Sequence, residues 1–183
     1  MHYSHVQERR GRFPVSNDIE ERPISAETRS RFGHWEADTV IGKQGKECLL
    51  TLNDRKSRFL IARKADRKTA ECINARMIKA LKGMTVKSIT PDRGKEFARH
   101  EEVTEALGGV QFYFPAPHAP WQRGTNENSN GLLREYFPKG SDIGDYSSAR
   151  IRAAVDKINR RPRKCLNWKT PYEVFYGVSL HLT

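Results

Sequence analysis

Three acidic residues, Asp38, Asp92 and Glu127, stand on three separate stretches of the chain. Asp38 lies midway along HWEADTVI, His34 to Ile41, a β-branched run that reads as a strand. An aspartate there is disfavoured by propensity and costly to bury unpaired. Asp92 follows a strand-like run from Val86 to Thr90, where Pro91 opens a turn. Glu127 belongs to PAPHAPWQRGTNENSNGLLREYFP, Pro115 to Pro138. This stretch opens as a proline-rich loop, turns helical around a cap at Thr125 or Asn126, and stops at Pro138. Should the first and fourth strands be neighbours, their aspartates meet on one edge and the helix can lay Glu127 across them. Three carboxylates that close together repel one another unless cations neutralise them. Hard oxygen ligands select Mg²⁺ or Mn²⁺, and two such ions clamp an in-line displacement at phosphorus. Each acid also has a plainer reading, since turn aspartates are common and most polar helix faces are only solvated. Glu36 shares a strand face with Asp38, and an ion pair with a basic residue is the preferred reading for it.

The elements that would carry these acids follow from pattern. His34 to Ile41, Cys48 to Leu52 and Arg58 to Ala62 are short strands joined by polar turns, a three-strand antiparallel meander. Thr69 caps a helix running through Lys82, with Ala70, Ile73, Met77, Ile78 and Leu81 as its apolar stripe and Gly83 past its end. The Val86 to Thr90 strand, a helix from Glu96 to Leu107 and a fifth strand from Val110 to Phe114 lead into the Glu127 helix. On that helix Leu132, Leu133, Tyr136 and Phe137 share one face, and Glu127, Asn130, Gly131 and Arg134 share the opposite one. A helix through Ile151, Ala154, Val155 and Ile158 follows. Thr170 and Glu173 then form a capping box around Pro171 for a last short helix. A meander followed by alternating strands and helices implies an α/β fold, a mixed sheet with helices packed on it.

Bulk properties narrow the class. The 183 residues make one domain's worth of chain, and residues 1–30, rich in arginine and poor in apolar residues, read as a basic extended arm or linker. Lysine and arginine number 33 against 22 acidic residues, a net charge of +11 that favours a polyanionic partner, with nucleic acid the common one. Cys48, Cys72 and Cys165 are dispersed and odd in number, which argues for small core residues in a reducing compartment rather than a disulfide framework. No apolar run approaches a membrane span and no signal peptide is evident, so a cytoplasmic location is expected.

The segments GHWEADTVIG, LLTLNDRKSRF, TPDRGKEFA, PWQRGTNENSNGLLREYFPKG, NRRPRK and TPYEVF occur in an order that resembles the catalytic domain of bacterial insertion-sequence transposases of family thirty, within the DDE transposase and retroviral integrase group. The resemblance runs from about Arg31 to Gly177, so the catalytic region is expected over residues 31–183. It implies a ribonuclease H-like fold with a five-stranded mixed sheet, and cleavage of DNA at an element's end followed by transfer of the freed 3′-hydroxyl into target DNA. It also implies that Asp38, Asp92 and Glu127 are the catalytic ligands of two Mg²⁺ or Mn²⁺ ions, and that the active assembly is a homo-oligomer. Arg134 occupies the family's basic position two helical turns past the glutamate. Arg93 departs from the asparagine usual after the second aspartate, and either pairs with a carboxylate or touches DNA. Lys95, Asn126, Asn130 and the Trp121 to Arg123 loop are further candidate DNA contacts, with helix capping an equal reading for the two asparagines. Family members carry an N-terminal helix-turn-helix region that this sequence lacks, so a catalytic fragment without sequence-specific recognition is expected. The alternatives are a catalytically silent DNA-binding or assembly module and a ribonuclease H-type nuclease.

Overall fold

The computed structural model describes residues 14–42, 47–116 and 124–180. Five strands form one sheet: β1 (His34–Ile41), β2 (Cys48–Asp54), β3 (Leu60–Ala65), β4 (Ser88–Thr90) and β5 (Gln111–Phe112), in the order β3-β2-β1-β4-β5. β1, β2 and β3 make the antiparallel meander, and β4 and β5 add parallel to β1. The helices are α1 (Ile24–Glu27), α2 (Ala70–Leu81), α3 (His100–Ala106), α4 (Gly124–Tyr136), α5 (Ser148–Asn159) and α6 (Pro171–Tyr176).

The two-residue period of the strands divides the interior into two cores. Trp35, Ala37, Leu50, Leu52 and Ile61 pack with Ile73 and Met77 of α2 and Val103 of α3 on one face. Val40, Leu49, Leu60 and Ala62 pack with Leu133 of α4 and with Ile151, Val155 and Ile158 of α5 on the other. Helices therefore cover both faces, and β2 is buried along its whole length.

Several element ends differ from expectation for local reasons. β3 starts at Leu60 rather than Arg58 because the preceding turn is held by Asp54, whose Oδ2 accepts from Ser57 N and Oγ while Arg58 takes a left-handed φ of 63°. β4 begins at Ser88, not Val86, since its partner β1 begins at His34 and Gly33 turns away with φ 92°. The expected Glu96 to Leu107 helix is broken into a 3-10 turn over Lys95–Phe97 and α3, and β5 spans only two residues of the expected Val110 to Phe114 run. Residues 14–30 are not simply extended. Ser16 Oγ and Asn17 Nδ2 donate to Phe112 O, Ile19 N donates to Phe114 O, and Ala26 is fully buried. Of the cysteines only Cys48 is a core residue, and burial pushes its thiol up to about 11. Cys72 is half-buried and Cys165 exposed, which corrects the expectation for both.

Candidate active site

The parallel pairing of β1 with β4 is what matters for the aspartates. Its last pair is Glu36 with Thr90, and Asp38, inside β1, and Asp92, in the turn after β4, each lie two residues further on in the same direction. Both are half-buried. Asp38 Oδ1 accepts from Thr39 N at 2.7 Å and its Oδ2 from Asn130 Nδ2 at 2.9 Å, while Asp92 Oδ1 accepts from Gly94 N at 2.8 Å.

α4 lies along β1 because their repeats match. Four residues of helix rise about 6 Å and two residues of strand about 6.6 Å. Asn126, Asn130 and Arg134, four apart, consequently meet β1 in step. Asn126 N donates to Glu36 Oε2 at 3.1 Å and its Nδ2 to Ala37 O at 3.3 Å; Asn130 reaches Asp38; Arg134 Nη2 donates to Ile41 O at 2.8 Å. From β2, Asn53 Nδ2 donates to Asn126 Oδ1 at 3.0 Å, and from the turn before β3, Arg58 Nη1 donates to Thr125 Oγ1 at 2.7 Å. Glu36, fully buried, is ion-paired with the buried Arg55, so the reading preferred for it holds. The polar stripe of α4 is thus largely a docking face. Thr125 and Asn126 lie inside the helix rather than capping it, since α4 already begins at Gly124.

Glu127, one residue past Asn126, is exposed at the margin of this face, as is Gly131. Among the described residues no three histidine, cysteine, aspartate or glutamate side chains converge as a ready metal site. Asn130 Oδ1, beside Asp38, is a buried oxygen with no hydrogen-bond donor among the described residues.

The remaining candidates separate. Asn126 is buried, with both polar side-chain atoms engaged inside the fold by Asn53 and the Ala37 carbonyl. Arg93 Nε donates to Pro115 O at 2.6 Å and its guanidinium lies 3.8 Å from Asp18, which ties the turn after β4 to the N-terminal segment. Lys95 is exposed. Trp121 and Arg123 lie outside the described residues. Two participants escaped the sequence reading. Asn53 lies in the polar end of β2, beside Asp54, and nothing in the sequence set it apart. Glu96 is nearly buried, ion-paired with Lys68 at 2.9 Å and accepting from Thr39 Oγ1 at 2.7 Å on the opposite side of β1. A Cβ on Gly94 would come within 2.4 Å of that carboxylate, so a larger residue there would have to displace Glu96.

Residues 29–120 match the integrase core domain family. The chain is 44% identical over 168 residues to the transposase for insertion sequence element IS4351 of Bacteroides fragilis, an alignment covering 91% of this chain and 51% of that protein. It is 42% identical over 166 residues to transposase InsI for insertion sequence element IS30A of Escherichia coli (strain K12), covering 88% and 43%. The chain spans about half the length of the curated relatives it matches. The catalytic core domain of BIV integrase superposes with a TM-score of 0.61 at 21% identity, covering 79% of this chain and 93% of that one. A chain of the simian T-cell lymphotropic virus intasome gives 0.65 at 19% identity, covering 97% and 61%, and both likenesses are of fold. The resemblance in the motifs and the ribonuclease H-like sheet expected from it are borne out: the chain belongs to the integrase core domain family.

Proposed function

We propose that this chain is the catalytic core of a DNA transposase, which cuts a phosphodiester at an element's end and joins the freed 3′-hydroxyl to target DNA. Asp38, Asp92 and Glu127 are its acidic ligands. The observation that carries the reading is the β1–β4 register, which sets Asp38, inside β1, and Asp92, just past β4, each two residues beyond the last pair of these neighbouring strands. Relatives named as transposases support it from outside.

The donor set suits a hard divalent cation, Mg²⁺ or Mn²⁺, since carboxylate oxygens dominate and the buried Asn130 Oδ1 lies beside them without a donor among the described residues. Such ions, two by this reading, neutralise charge at phosphorus and lower the pKa of water when bound. The chain's own residues do the rest. Glu36 and Asn126 orient α4 on β1, and Asn130 fixes the rotamer of Asp38. Basic side chains hold the phosphate backbone, with Lys95 and Arg134 the candidates beside the site. The reading requires Glu127 to join the two aspartates when ions bind.

Asp38→Asn is expected to reduce Mg²⁺- or Mn²⁺-dependent nicking and joining of duplex DNA to background while duplex affinity stays near wild type. Nicking at the wild-type rate by this variant would overturn the assignment. One observation favours a second reading, a catalytically silent DNA-binding or assembly module: no three acids converge among the described residues. Mn²⁺ calorimetry separates the two, because only the enzyme should lose heat of binding on Glu127→Gln.

A further inference from the structure

β3 is one edge of the sheet, and a cavity of about 400 Å³ lies where α2 and α5 flank it. Arg63 and Lys64 reach it from β3, Arg76 and Lys79 from α2, and Arg152 from α5, with Asp66 the one acid in the lining. Arg76 is paired with Asp66 at 3.3 Å and Lys64 with Glu47 at 3.2 Å. Among the described residues Arg63, Lys79 and Arg152 have no carboxylate within ion-pair distance. Burial, and then the nearby charge of Arg152, lower the pKa of the Arg63 guanidinium. The α5 N-terminus, capped by Ser147 and with no acid in its first turn, adds its positive end to the same space.

Cations along an edge strand commonly do no more than discourage strand pairing. Here that task is already met in part. Asn159 caps the backbone of Leu60, its Oδ1 accepting from Leu60 N and its Nδ2 donating to Leu60 O, both at 2.9 Å, and Arg63 Nη1 donates to Ala62 O at 3.0 Å. Edge protection does not call for lysine and arginine from two helices on opposite faces of the sheet. A second copy of this chain would bring the same charges against their like, so self-association through this face is disfavoured.

We propose that this notch seats the phosphate backbone of duplex DNA. The inference rests on the nucleic-acid reading above and adds a contact region apart from the carboxylates. Asp38 pairs with Thr51 and Thr51 with Ala62, so the notch lies two strands from Asp38, roughly 10 Å across the sheet. A duplex presented to the β1–β4 end can therefore be gripped at the β3 edge as well.

The test is fluorescence anisotropy of a labelled random-sequence duplex with the full chain over a series of salt concentrations. One variant is Arg63→Gln/Lys79→Gln/Arg152→Gln. The control is Arg31→Gln/Lys82→Gln/Lys87→Gln, which removes the same charge from exposed positions elsewhere. The notch variant should bind at least about tenfold more weakly near 0.1 M salt, with the slope of log K against log salt reduced by about 2 to 3, while the control stays close to wild type. Equal weakening in both variants, or wild-type binding by the notch variant, overturns the notch. A change in sedimentation of the notch variant alone marks the face as a self-interface and also overturns it. Wild-type chain that fails to bind duplex DNA at all overturns the nucleic-acid reading itself, a different result from loss of the notch alone.

Discussion

Glu36 shows how one side chain can serve both stability and geometry. Its carboxylate neutralises the buried Arg55 and accepts the amide of Asn126, so the helix bearing Glu127 is fastened to the strand bearing Asp38 by a residue that faces no solvent. Glu36→Gln leaves the Arg55 guanidinium buried without its principal counter-charge. That change is expected to cost about 3 kcal/mol in urea unfolding and to speed hydrogen exchange of the Asn126 amide. An unchanged exchange rate at Asn126 would show that α4 is held by other contacts. Glu36 was legible in the sequence as an ion-paired residue because a strand acid in a basic chain finds a partner. Its second bond was not legible, because nothing in the order of residues says that Asn126 lies above it.

At the scale of elements, α4 is held by two unlike faces. Leu133 and Phe137 enter the core shared with α5, and Asn126, Asn130 and Arg134 follow β1. Its apolar stripe was readable from spacing alone, as was the stop at Pro138. The docking of the polar stripe was not, since solvated and sheet-facing polar stripes look alike in sequence. Phe137→Ala removes a fully buried ring packed edge-on against Tyr146, and should lower stability by about 3 to 5 kcal/mol in equilibrium denaturation. The ends of α6 are the opposite case, set by neighbouring residues. Thr170 and Glu173 form the capping box, Pro171 occupies the first turn and Gly177 closes the end with φ 66°. Thr170→Ala should cost about 1 kcal/mol by thermal unfolding, and Thr170→Ser should recover most of it.

For the molecule as a whole, one buried imidazole links fold and pH. His34, at the start of β1, is held between Ser88 Oγ at 2.7 Å and Ser25 Oγ at 2.9 Å, joining the N-terminal segment, β1 and β4. Burial first, then the fields of Lys87 and Arg22, bring its pKa down to about 4. A histidine that is neutral in the fold and free to protonate when unfolded gives the unfolded state more protons between its ordinary value of 6.5 and about 4. Stability should therefore fall as pH drops through that window, by on the order of 2–3 kcal/mol from this residue, and level off below it. Urea titrations at pH 7, 5.5 and 4.5 check this, and His34→Gln should flatten the dependence. Among the described residues no helix is long and apolar enough to cross a membrane.

Composition, periodicity and turn chemistry determined the α/β class, the meander, the apolar stripes of α2, α4 and α5 and the local caps of α6, because each depends on residues close in sequence. The element ends moved where a distant partner ran out, as when β4 waited for His34 before it could pair. Only the tertiary structure decided that Asp38 and Asp92 each follow the last pair of two neighbouring parallel strands and that α4 turns its amides toward β1. Only it gathered the cations of β3, α2 and α5 around one notch. These arrangements depend on strand order and on the match between helix rise and strand rise, which are properties of packing rather than of any single segment.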